Sequence, residues 1–134
     1  MRCDNIALNV FVKCDQDQEV IYIMAIYPQR IPDGNREALN ELIVRINAEG
    51  SRDKAYCTWS REDQTISFGN HIFISDTDFK PGQFKRVFHD CMDCADVWYP
   101  AFMELIYGDK TAEEAYALAL EQLQTRTNRI QQPS

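Results

Sequence analysis

The segment HDCMDCAD, His89 to Asp96, places two cysteines, a histidine and three aspartates within eight residues. Such a set could be half of a zinc site or a thiol redox pair. A structural zinc needs four ligands at near-tetrahedral angles, and one Cys-x-x-Cys supplies two. No second pair follows in the chain. A redox pair of the thioredoxin kind sits at a helix N-terminus, where the dipole lowers the thiol pKa. Here the flanking pattern is helical and the cysteines lie two turns or more inside it. At about 100° per residue, Phe84, Val87, Phe88, Cys91, Ala95, Trp98, Phe102, Leu105 and Ile106 share one stripe. Cys91 falls at its centre and Cys94 on its shoulder, while His89, Asp93 and Asp96 point the other way, towards water. The spacing therefore predicts buried core thiols.

A second possibility is Cys57 as nucleophile with His71 as base. A hairpin turning at Glu62 to Gln64 pairs Cys57 with about Phe68 or Gly69. That leaves His71 a strand diagonal away, beyond the ~2.6–3.2 Å such a pair requires. The remaining carboxylate clusters, "CDQDQE", "REDQ" and "DTD", lie in turn-like stretches, where Asp bonds nearby backbone. They lack the glycine and closing Glu of a calcium loop. No glycine-rich phosphate loop is present. The residues predict no catalytic residue, no metal and no cofactor.

Composition narrows the partners. Asp and Glu number 21 against 14 Lys and Arg, a net charge of −7. That balance opposes nucleic-acid binding and an anionic membrane surface. No run approaches the ~20 apolar residues of a membrane span. The N-terminal residues alternate like a strand rather than a signal peptide. Five irregularly spaced cysteines are read as free thiols in a cytoplasmic protein.

The elements that position these residues follow from periodicity. Residues 5 to 27 predict a hairpin, with Ile6, Leu8, Val10 and Val12 on one strand face. A turn pairing Cys14 with Glu19 adds Ile21, Ile23, Ala25 and Tyr27 to that face. The opposite face carries Phe11, Tyr22, Met24 and Ile26. A strand apolar on both sides belongs in the middle of a sheet, covered on both faces by its own chain or by a partner. Asp33 is expected to cap a helix over 34–48, with Leu39, Leu42, Ile43 and Ile46 as its stripe and Gly50 as its stop. A second hairpin spans "AYCTWSREDQTISFGNHIFIS", with a bulge or bend at Gly69-Asn70. A long helix from about Gln83 to Tyr107 should kink or restart at Pro100. "TAEE", Thr111 to Glu114, is a capping box that opens a last helix. Residues 125–134 are too polar to pack and are expected as a loose tail after a single domain over 1–124.

"IPDGNREALNELIVRINAE", the second hairpin and "ADVWYPAFMELIYG" together resemble the YbjN-like family. The residues that carry the resemblance are Ala95, Asp96, Trp98, Tyr99, Pro100 and Gly108, within a match over roughly Asn5 to Gln122. Members are described as bacterial regulators of sensory transduction. Their fold is similar to type III secretion chaperones, small proteins that often dimerise and hold an extended segment of a partner. Those chaperones begin with a helix before the first strand, whereas this chain opens on a strand. The resemblance implies an α+β fold, β-β-α-β-β-α-α, with helices on one face of an antiparallel sheet. It implies a non-enzymatic protein-binding role, with a protein partner or a second copy (a homodimer). The face bearing Phe11, Tyr22, Met24 and Ile26 is the expected contact surface. The alternative is a small cysteine-dependent enzyme or redox protein using Cys57 or the Cys91/Cys94 pair.

Overall fold

The computed structural model describes residue 3 and residues 6–51, 54–74 and 80–131, the side chains of Asp33 and of 126–131 excepted. Four strands form one antiparallel sheet: β1 (Asn9–Asp15), β2 (Val20–Ile26), β3 (Tyr56–Ser60) and β4 (Thr65–Phe73). Their spatial order is β1-β2-β4-β3. Three helices complete the α+β fold: α1 (Arg36–Arg45), α2 (Pro81–Tyr107) and α3 (Ala112–Gln131).

The strands form where apolar alternation and turn chemistry agree. In the first hairpin Cys14 pairs with Ile21 and Asp15 with Val20. This register differs by two residues from the one expected. Asp15 accepts a bond from the Gln18 backbone at 3.1 Å, and Glu19 takes a φ of 55°, so the four-residue turn lies at 16–19, one residue further along than expected. A two-residue slip preserves the face of every side chain, because strand side chains alternate with a period of two. β2 is central, as its apolar composition requires, and pairs with β1 and β4.

The core lies on one side of the sheet. Ile23, Ala25, Ile66 and Phe68 are fully buried there, and α2 lies over β2 and β4. α3 packs on α2 and α1. α2 is therefore enclosed from two sides. Met92, Asp96 and Val97 are buried along with Cys91, Ala95, Trp98, Phe102 and Leu105 of the expected stripe, while its Phe84, Val87, Phe88 and Ile106 are half-buried. Asp96, expected on the wet side, is 4% exposed; helical periodicity foresees one covered side. Tyr27, 0% exposed, donates its hydroxyl to Ala95 O at 2.6 Å and meets Tyr99 and Phe102 edge-on.

Several other expectations change. α2 passes through Pro100 as one helix, without a restart. Asp33 lies within a short 3-10 turn, Asp33–Asn35, and the residue before α1 is Asn35. Asn35 makes no capping bond; its side-chain amide reaches Leu105 O at 3.4 Å. β4 runs unbroken through Gly69 and Asn70 in constant register with β2, so no bulge occurs there. The capping box forms as read: Thr111 N–H donates to Glu114 Oε1 at 3.1 Å, and Glu114 N–H to Thr111 Oγ1 at 3.2 Å. α3 then continues over 125–131, the stretch expected to be loose, while 132–134 lie outside the described residues. No helix among the described residues is long and apolar enough to cross a membrane.

Candidate functional site

All three helices lie on one side of the sheet, which leaves the other face without a helical cover among the described residues. One rung crosses the whole sheet there. Phe11 pairs with Met24, Met24 with Gly69, and Gly69 with Tyr56. Directly opposed residues share a face, so Phe11, Met24 and Tyr56 stand on the same side. Tyr22 beside His71 and Ile26 beside Ser67 flank that rung two residues away. The four residues expected on the contact face are thus brought together. Phe11 is 50% exposed, and Tyr22, Met24 and Ile26 are half-buried. Val20 and Ser67 are the covered positions of this face, at 2% and 6%.

Gly69 shapes the surface. With no side chain in mid-sheet, it is the floor of a shallow groove of about 180 Å³. Tyr22, Met24, Tyr56, Thr58 and His71 are among its walls. A Cβ on Gly69 would approach Met24 Cγ to 3.2 Å and Ile23 O to 3.0 Å, so a side chain here would crowd the floor. His71 lies edge-on to Phe73 at 4.8 Å and tilted to Tyr22 at 6.2 Å. Thr58 and Ser67 share a hydroxyl bond of 2.9 Å across β3 and β4. The lining is aromatic and thioether with a few hydroxyls, which suits side-chain contact. Sequence reading found Tyr22 and Met24 but missed Tyr56, Thr58 and His71. Their alternation in the second hairpin was the available signal.

The cysteine constellations separate. Cys57 pairs with Phe68 and points into the core, 1% exposed, whereas His71 pairs with Tyr22 on the opposite face. The sheet itself lies between them, a stronger exclusion than the strand diagonal inferred from spacing. Cys91 and Cys94 are 0% and 5% exposed between α2 and the sheet, and His89 is exposed. The Cys91 thiol lies 4.0 Å from Ile23 O. Burial pushes both thiols up to about 12, and Cys57 higher still. Burial likewise drives the Tyr27 phenol well above its ordinary range, with Cys57 and Asp96 beside it adding to the effect. A nucleophile needs a thiolate, and these environments suppress it. Among the described residues no three His, Cys, Asp or Glu side chains are grouped to hold a metal.

A second hollow of about 240 Å³ lies between the loop at Ile31 to Asn35 and Ile106 at the end of α2. It is below the ~300–1,000 Å³ typical of small-molecule sites, and the described residues on its lining, among them Ile31, Pro32, Leu39 and Ile106, are mostly apolar. No family model, no curated protein and no solved structure matches the chain.

Proposed function

We propose that the chain is a cytoplasmic, non-enzymatic protein-binding module, a regulator of signal transduction or a chaperone-like protein of bacterial type. Its contact surface is the open sheet face bearing Phe11, Tyr22, Met24 and Ile26. The observation that carries this reading is the uncovered central strand. β2 is apolar on both sides, its helical side is buried to 0% at Ile23 and Ala25, and its other side lacks a helical cover among the described residues. Apolar residues clustered on one exposed face mark a place where another chain is received. The resemblance to the YbjN-like family supports the same reading. The raised, buried thiols weigh against the alternative of a cysteine-dependent enzyme.

The test is affinity purification of the full chain against Tyr22→Asp and Met24→Asp variants, each shown to fold by circular dichroism. The expected result is a defined set of proteins retained by the wild type and lost by both variants. Equal retention by all three would refute the assignment of this face.

A further inference from the structure

The two edges of the sheet are not equivalent. At the β3 edge, Asn47 donates its side-chain amide to Cys57 O at 2.9 Å and accepts from Cys57 N–H at 2.7 Å. The outward backbone donor and acceptor of mid-β3 are therefore already taken. Asn47 occupies the position that a neighbouring strand would need.

Among the described residues β1 has no comparable side-chain cover, and its blunting charge is Lys13. Residues 9–14 are all exposed, and the register with β2 is constant, without a bulge. The strand contains no proline, and its exposed apolar residues are consecutive: Val10 at 36%, Phe11 at 50% and Val12 at 48%. Edges are ordinarily blunted by charge, proline, bulge or cover. The exposure has a specific geometry. Val10 and Val12 oppose Ala25 and Ile23, each 0% exposed, so they share the helical side. α2 rests on β2 and β4, one strand short of them. Phe11 stands on the other side. Apolar surface thus reaches the edge on both faces and stops there.

We infer that β1 pairs antiparallel with β1 of a second copy of this chain, joining two sheets into one of eight strands across a two-fold axis at Val12. Three observations select that occupant. Asn47 blocks head-to-tail growth of β1 onto another copy's β3, so the edge a second copy can offer is its own β1, and the assembly closes at two. The charge of −7 repels a second copy in general, but β1 balances Lys13 against Asp15. The two-fold at Val12 also matches the whole strand. Val12 meets Val12, Val10 meets Cys14 and Asn9 meets Asp15. Lys13 meets the Phe11 ring, a favourable cation–π pair. No like charges are directly opposed. The inference extends the binding reading, because the two open faces become one surface, but does not depend on it. Failure of the partner assay leaves this test unaffected.

A single strand pair covers less than the ~800 Å² per partner of a standard interface, so the dimer is weak and depends on concentration. Sedimentation velocity from micromolar to near-millimolar concentration should show a monomer–dimer equilibrium. Phe11→Lys places like charges opposite Lys13 twice and should weaken it by about tenfold or more. In a Cys14→Ser background, Val12→Cys lies opposite itself, at a Cα separation of about 4.5–5.5 Å that a disulfide spans. Oxidation should link it as a dimer and leave Tyr56→Cys, on the blocked edge, unlinked. The inference fails if the chain is monomeric throughout, if Phe11→Lys leaves the dimer intact, or if Tyr56→Cys links as fast as Val12→Cys.

Discussion

A methyl group at position 50 has no space in this fold. Built on the Gly50 backbone, a Cβ would press into Trp98 Cζ2 and lie 2.9 Å from Cη2 and 3.2 Å from Cε2. Trp98 has no easy retreat: it is 1% exposed and stacks on Tyr116 at 5.1 Å and 20°. Gly50 does not have a positive φ, so alanine suits its backbone and the penalty is contact alone. Overpacking of this kind costs about 1–3 kcal/mol. A smaller unfolded-state entropy returns roughly 0.4–1 kcal/mol. Gly50→Ala should therefore lose about 1–2 kcal/mol. For 134 residues at about 2.1 cal/mol/K each, 1 kcal/mol corresponds to about 3.6 °C. The melting temperature, followed by circular dichroism, should fall by about 4–7 °C. Trp98→Phe removes the benzo ring that the methyl meets, so alanine should cost little in that background. The coupling between the two positions should approach 1 kcal/mol. A variant that melts within a degree of wild type, or the same penalty in both backgrounds, would refute the assignment of Gly50 to close approach.

The same fold sets further outcomes. Thr111→Ala should cost about 1 kcal/mol in urea unfolding through loss of the α3 cap. Glu114, held below the ordinary carboxylate range by its bonds to Thr111, should stabilise α3 above that range and cease to do so as pH falls through its lowered pKa; titration by NMR checks the direction. Thiol labelling at neutral pH should modify Cys14, with Cys57, Cys91 and Cys94 reacting on denaturation. Because Cys91 and Cys94 are raised from 9.0 to about 12, the native chain retains protons that the unfolded chain releases. Stability should be full below pH 9 and fall as pH rises towards 12, with Cys94→Ala reducing the slope. Asn47→Ala should cost about 1–3 kcal/mol, because two bonds to Cys57 are lost together; equal urea midpoints would refute its role as an edge cover.

The local elements were legible because local chemistry defines them. Apolar alternation marks β1 and β2, a 3.6-residue stripe marks α2, and Thr111 with Glu114 marks the start of α3. The face shared by Phe11, Tyr22, Met24 and Ile26 was legible for a related reason: a slip of two in the hairpin register preserves sides. Relations between distant segments were not legible. Asp96 was placed in water because helical periodicity foresees one covered side, whereas in the fold it is buried near Tyr27. Gly69 suggested a bulge, yet it is the regular mid-sheet floor of a groove. Gly50 does end the helical stretch Ile46–Gly50, as read, but its close approach to Trp98, 48 positions away, left no local signal. Asn47 gave no local signal, since its two bonds exist once the helical turn Ile46–Gly50, which follows α1, and β3 are neighbours. Sequence alone determined which residues are apolar together and which way each alternates. Tertiary structure decided which face remains open and which edge is protected. Those outcomes depend on where helices distant in the chain come to rest, and short-range periodicity carries no information about that.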